Sequence, residues 1–333
     1  ETESNVACAL AAAGHRAAWV GRVGADGFGD HLVETIASYG VDTSAVRRDP
    51  ARPTGIYFRT ATDRGTDTHE VAYYRAGSAA SAMSPSNVPY EELFAGRVLH
   101  LSGITAALSA DCLALLRDLT APRPGRPLVS FDVNHRPHLW RGGDADASVL
   151  LELARRADLV FVGEDEAEEA WGIVGAEAIR AALPEPAVVV VKRGSAGATV
   201  FSGLRPGAGS SNAGGAENAA GAGSSGAGGA EGADTVTAVP ALRVDVVAAV
   251  GAGDAFAAGF LSATLRGLPV RQRVRHGHLM AAAVLTVPGD LTDPPARDHA
   301  DRLAALDDDA WGRLRLGPGW TAADRAPEEV RTP

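Results

Sequence analysis

Cysteine is nearly absent from this chain of 333 residues, which holds only Cys8 and Cys112, with no paired spacing. That excludes a disulfide framework and a thiolate metal site, and it points to a reducing cytoplasm. Positive charge is also in deficit. A formal net charge of −10 argues against an electrostatic grip on nucleic acid or an anionic membrane, but leaves room for a local basic pocket that takes a small anion. No apolar run approaches the ~20 residues of a membrane span, and no basic-then-apolar leader opens the chain, so a soluble cytoplasmic protein is expected. What remains is an ordinary globular composition, long enough for one large α/β domain with a sizeable core.

The chain opens with ETESNVACALAAAG, in which Val6, Ala9, Leu10 and Ala13 recur at helical spacing and Gly14 can close the helix. AAWVGRVG reads as a strand, and FGDHLVETIASYG as a helix with Leu32, Val33, Ile36 and Tyr39 on one face. TGIYFRTATD and THEVAYYRAG are β-rich runs around a polar turn, Asp63 to Asp67, and predict a hairpin over about 54–76 that stands apart. From residue 97 apolar strands alternate with amphipathic helices: RVLHLSG, SADCLALLRDLT, PLVSFDVN, ASVLLELARRA, DLVFVG, EDEAEEAWG and AVVVVKRG. This pattern predicts a mostly parallel sheet covered on both faces, with ligands beyond the carboxyl ends of its strands. The informative loops are then HLSG, FDVNHR, FVGEDE, VVKRG and AVGAGD. Residues 204–234 carry almost no apolar side chain larger than Ala and read as a flexible low-complexity insertion. A domain over 1–310 is expected, with 318–333 as a loose tail.

The stretch VDVVAAVGAGDAFAAGFL places Asp254 where a loop turns into a helix. Gly251, Ala252 and Gly253 let successive backbone N–H groups converge at the helix N-terminus, where the dipole also favours negative charge. Viewed alone, GAGD is equally an ordinary capping aspartate. Beside such an anion hole, however, its carboxylate can accept a proton from a hydroxyl that attacks a phosphoryl group. The dinucleotide fingerprint does not fit, because Phe256 occupies its third glycine position, and no P-loop motif occurs. Arg136 offers a planar fork suited to carboxylate or phosphate, or else a surface ion pair. Tyr73 and Arg75 are two apart and share one face of their strand. His276 and His278 lack a third ligand and are expected on a solvated or adenine-facing helix, with no structural metal.

VGAGDAFAAGF resembles the C-terminal signature of the PfkB/ribokinase-like sugar kinases. VGADGFG, FDVNHR, FVGEDEAE and VVVKRGSAGA resemble that family's other motifs in the same order, across nearly the whole chain outside the insertion. Within the family, PTGIYF, VAYYRAGSAAS, LHLSGI and FDVNHRPHLW are most similar to 2-keto-3-deoxygluconate kinases. The resemblance implies a ribokinase-like three-layer α/β/α fold, a mostly parallel sheet with a small β lid. It implies ATP and Mg²⁺ as cofactors, a sugar acid as substrate, and a homo-oligomer formed through the lid. Asp254 would be the catalytic base, Gly251, Ala252 and Gly253 the anion hole, and Arg136 would lie near both substrate and transferred phosphate. Asn5, Tyr57, Tyr73, Arg75 and Asp290 would face the sugar acid. Asn134, Lys192, Gly194, Ser195 and Gly197, with Gly251 and Gly253, would face the nucleotide, and Glu166 would hold magnesium through water.

Three positions depart from the family pattern. Glu1 stands where the second glycine of a Gly-Gly-x-Glu-x-Asn motif would be, so the family's first strand would precede it. Gly163 replaces a common asparagine, and His278 replaces an adenine-side asparagine. Two alternatives stay open: a kinase for another sugar such as fructose or ribose, with no carboxylate for Arg75 to hold, and a sugar-acid-binding protein without catalysis.

Overall fold

The computed structural model describes residues 2–59, 71–140, 146–203 and 234–322. The opening apolar spacing becomes helix α1 (Thr2–Ala12), and Gly14 beyond it turns back with φ 87°, a conformation suited to glycine. AAWVGRVG yields less strand than its composition suggests: only β1 (Arg22–Gly24) and a bridge from Ala18 to Asp42. Gly21 and Gly24 leave that run without side chains to pack. The Asp26 carboxylate caps α2 (Gly27–Ser38) by accepting from Gly29 N–H at 2.8 Å, and β2 (Arg47–Asp49) pairs parallel with β1.

The expected hairpin forms from β3 (Ile56–Arg59) and β4 (Val71–Tyr74), antiparallel with Tyr57 opposite Tyr73; its turn lies outside the described residues. A short helix α3 (Tyr90–Phe94) leads to the alternating region: β5 (Val98–Ser102), α4 (Gly103–Ala106), α5 (Ala110–Leu119), β6 (Leu128–Asp132), α6 (Ser148–Arg156), β7 (Leu159–Gly163), α7 (Glu164–Trp171), α8 (Ala176–Ala182) and β8 (Val188–Lys192). Strands β5 to β8 are parallel neighbours, and β9 (Ala198–Ser202) and β10 (Thr235–Val239) extend the same sheet antiparallel from β8. The low-complexity stretch between β9 and β10 lies outside the described residues up to 233, and Asp234 at its end pairs with Arg180. Strand β11 (Arg243–Val244) precedes α9 (Ala252–Leu265), α10 (Val270–Leu285), α11 (Arg297–Ala304) and α12 (Asp308–Arg313), and then pairs with β12 (Arg315–Leu316).

Alternation along the central strands divides the core in two. Leu159, Phe161 and Val190 point toward α1, α9 and α10, where Phe161 meets Phe256 and Phe260 edge to face. Val160, Val162 and Val191 point the other way, into Leu116, Leu150, Leu153 and Ile179 of α5, α6 and α8. The three-layer α/β/α arrangement follows, with both faces of the sheet dry.

Two expectations are corrected here. Trp320 is buried in the first of these cores, so packing runs past the point where a loose tail was expected to begin, and residues 323–333 lie outside the described residues. His276 and His278 are buried rather than solvated: His276 Nε2 lies 3.1 Å from Asp301, and the His278 ring sits between Phe256 and Trp311. They are covered because α10 packs against α9 and α11.

Candidate active site

Ser102, Asp132, Gly163 and Lys192 terminate β5, β6, β7 and β8 at one edge of the sheet, the edge where parallel sheets bind ligands. Helix α9 begins at the same edge. Its N-cap, Gly251, has φ 79°, and a side chain there would collide with the backbone of Asp290, so only glycine fits. The first bond of the helix runs from Ala255 N–H to Gly251 C=O, which leaves the N–H groups of Ala252, Gly253 and Asp254 ahead of the helical ladder. The predicted anion hole therefore has the backbone it needs, and Asp290 flanks it.

Asp254 stands over this turn with partial solvent access but enclosed by protein on most sides. Asn5 of α1 donates to its Oδ2 at 2.9 Å. Burial is the main reason that its carboxyl is pushed up to about 7; the Asp132 charge adds to this, while Asn5 and Lys192 oppose it. A carboxylate poised there suits a general base working near neutrality. Lys192 belongs to the same cluster rather than to the exposed turn that follows it. Its Nζ lies 3.1 and 3.2 Å from the two oxygens of Asp132. Burial disfavours its charge, yet Asp132, Glu166 and Asp254 together hold its pKa above the ordinary lysine value. Close by, His100 is partly buried, its Nδ1 3.0 Å from Ser130 Oγ, and burial lowers its pKa to about 4.

The remaining predicted residues divide into three groups. Gly194 and Ser195 are exposed in the turn between β8 and β9, whereas Gly197 is buried, and a side chain there would strike Val239 C=O. Arg136 Nη1 donates to His135 C=O at 2.9 Å and lies 3.5 Å from Glu166 Oε1, while Glu166 Oε2 accepts from Gly163 N–H at 2.8 Å. Asn134, expected at the nucleotide, is instead buried: its amide donates to Thr2 and Ser102 hydroxyls, and with φ 44° it turns the chain after β6. A short polar side chain that tolerates the left-handed region is suited to that bend.

The hairpin supplies the other wall. The Tyr57 and Tyr73 rings lie 5.8 Å apart, and the Arg75 guanidinium covers Tyr73 at 4.3 Å. His138 was not anticipated. It stacks on Tyr73 at 4.6 Å, and its Nε2 is 3.3 Å from Arg75 Nη2, joining the hairpin to the loop that carries Arg136. Asp132 was also missed, although a carboxylate ending a parallel strand inside FDVNHR was a readable signal.

A family model described as pfkB family carbohydrate kinase matches residues 2–297. The chain is 32% identical over 305 residues to the 2-dehydro-3-deoxygluconokinase of Bacillus subtilis, a match covering 89% of this chain and 83% of the relative. It is 30% identical over 305 residues to the protein of that name from Thermoproteus tenax, covering 91% and 84%. Among solved structures, a PfkB protein from Polaromonas sp. JS666 is similar at 31% identity and a TM-score of 0.70, with 92% and 88% of the chains covered. The 2-dehydro-3-deoxygluconokinase from Thermotoga maritima, at 23% identity with 92% and 89% covered, shares the fold at a TM-score of 0.66.

Proposed function

The chain belongs to the PfkB family of carbohydrate kinases, and from that premise we propose that it transfers the γ-phosphoryl group of ATP to the primary hydroxyl of 2-keto-3-deoxygluconate. The observation that carries this reading is Asp254, enclosed at the start of α9 beside three backbone N–H groups and held by Asn5. The Asp254 carboxylate takes the proton of the sugar hydroxyl as its oxygen bonds to phosphorus, and the bond from phosphorus to the leaving ADP oxygen breaks. The N–H groups of Ala252, Gly253 and Asp254 meet the charge that develops on the transferred group. Arg136, on the loop after β6, carries a guanidinium suited to the same negative charge.

The substrate assignment is supported by the names of the two relatives above, since 2-dehydro-3-deoxygluconate is the same compound as the keto acid. It is also supported by Arg75, whose guanidinium is stacked on Tyr73 beside His138. A stacked, oriented guanidinium is suited to a carboxylate, which a plain ketose lacks. Closure of the hairpin over the sugar excludes water as a competing acceptor. Magnesium fits the acidic residues present: Glu166 Oε1 lies 3.5 Å from Arg136, long for a charge-assisted bond, so it keeps acceptor capacity for a metal-bound water. When bound, the ion would neutralise charge on the nucleotide phosphates. The outward face of the hairpin, with Phe58 and Tyr74, supports pairing of two copies through their lids.

ADP release in the presence of magnesium and ATP tests the reading, with 2-keto-3-deoxygluconate, fructose and ribose compared on this chain and on Asp254→Asn. Preference for the keto acid, lost in the variant, is the expected result. Faster turnover of fructose or ribose removes the substrate assignment, and turnover surviving in Asp254→Asn removes the base.

A further inference from the structure

Lys192 is the chain's only lysine; every other residue among the 31 lysines and arginines is an arginine. Arginine serves all the surface pairs, such as Arg117 with Glu152 and Arg315 with Asp245. The single ammonium therefore stands at a place where its shape matters. A guanidinium is planar and broad, whereas an ammonium is compact and can turn three donors toward different acceptors. Lys192 ends β8 and reaches across β7 to Asp132, which ends β6 and is 1% exposed. Both Asp132 oxygens lie within 3.2 Å of Nζ, and Nζ is 3.8 Å from the point where a side chain at Gly253 would begin. The ammonium thus sits beside the anion hole with an acidic group behind it.

We propose that Asp132 is a positioning residue for phosphoryl transfer, holding the Lys192 ammonium at the mouth of the anion hole so that one positive charge serves both Asp254 and the arriving phosphoryl group. The inference rests on Asp254 being the base. Among the described residues, the charged groups facing Asp254 are Asp132 from β6 and Lys192 from β8; Asn5 from α1 is a neutral donor, and Glu166 from α7 acts on Lys192. Asp132 and the ammonium it holds act on the base in opposite directions: the Asp132 charge opposes ionisation of Asp254, and the Lys192 charge favours it. The carboxylate therefore keeps the base protonated to a higher pH than Lys192 alone would allow, and so keeps it stronger once ionised.

The test is the pH dependence of kcat/KM for the wild-type chain, Asp132→Asn, Lys192→Met and Lys192→Arg. The ascending limb reports the base in the free enzyme. Removing the Asp132 charge moves that limb down by about one pH unit and lowers the plateau, and removing the ammonium moves it up by about one unit. Lys192→Arg restores the limb but not the plateau, because a guanidinium cannot occupy the same point between Asp132 and the hole. A limb unmoved in folded Asp132→Asn, movement of both charge-removing variants in one direction, or a wild-type plateau in Lys192→Arg overturns the proposal. If Asp132→Asn does not fold, the opposed behaviour of Lys192→Met and Lys192→Arg decides it. Asp254→Asn separates the two readings: if it is inactive while the Asp132→Asn limb stays in place, only the positioning role fails, and if it is active, the base assignment fails first.

Discussion

Asp254, Lys192 and Asp132 are held at the ends of α9, β8 and β6 against a sheet covered on both faces, whereas Tyr57, Tyr73 and Arg75 belong to the hairpin in which β3 pairs with β4. In the first region side chains are tied to partners on different elements: Asn5 on Asp254, Asp132 on Lys192, Ser130 on His100. In the second, ring and guanidinium stacking links Tyr57, Tyr73, Arg75 and His138. Fixed charges in an enclosed floor can be preorganised for a transition state, while a hairpin joined by stacking can move to admit and select a substrate. The floor should therefore govern kcat and the lid should govern KM.

The largest effect is expected from Asp254→Asn, which lowers kcat by about 10²–10⁴-fold. The same change should stabilise the protein. Burial raises this carboxyl from 3.8 to about 7, so across that window the folded chain binds a proton that the unfolded chain has released. Its contribution is fully present in acid and is lost as pH rises toward 7, which makes the ionised group a burden at neutrality. Asp254→Asn should raise the unfolding free energy in neutral urea titrations by about 1–3 kcal/mol. Loss of both activity and stability would mean that Asp254 is a structural cap.

Arg75→Ala is the matching change in the lid. It should raise KM for the keto acid by about 10–100-fold, the loss of one charge-assisted contact, with kcat within a few-fold. KM for fructose or ribose should be unaffected. An equal fall in kcat for all sugars would show that the lid takes part in the chemistry and would erase the contrast with the floor.

How much of this was legible beforehand follows the same division. The parallel strands announced themselves because both of their faces are dry and their sequences are continuously apolar, as in LVFVG and VVVV. Asp254 was legible because glycine spacing before a helix restricts what the backbone can do. Asp132 could have been singled out by its place at the end of a parallel strand, but its partner Lys192 lies 60 residues away, and the exposed His138 acquires meaning only from Arg75, 63 residues away in sequence. Strand β12 and buried Trp320 were hidden for a related reason: a two-residue strand has no periodicity, and one tryptophan among glycine and proline reads as a tail. The inward bonds of the Asn134 amide were not legible either, because a motif position says nothing of which way a residue with positive φ points its side chain.

A smaller effect lies under the floor. Burial lowers His100 and His278 from 6.5 to about 4, so both contribute stability above pH 6.5 that is lost as pH falls toward 4. Their slope is opposite to that of Asp254. His100→Asn should flatten the loss of stability across that window by about 1–3 kcal/mol in urea titrations, with turnover nearly intact at neutral pH. An unchanged acid profile would place the acid sensitivity elsewhere.

The smallest effect on chemistry should come from the outer face of the lid, where Phe58 and Tyr74 form an edge-to-face pair at 59% and 64% exposure. A lone two-stranded hairpin is marginal in water, and the stack of Tyr73 on His138 secures only its inner side. The lid pairing proposed above would cover these two rings. Phe58→Ser should therefore shift the protein toward monomer in sedimentation while changing kcat by no more than about twofold, since surface changes away from the site are small. If the wild-type chain is already monomeric at every concentration and Phe58→Ser behaves identically, the hairpin is held from inside alone. The contrast between floor and lid would then narrow to the inner face of the hairpin, where Tyr73 stacks on His138.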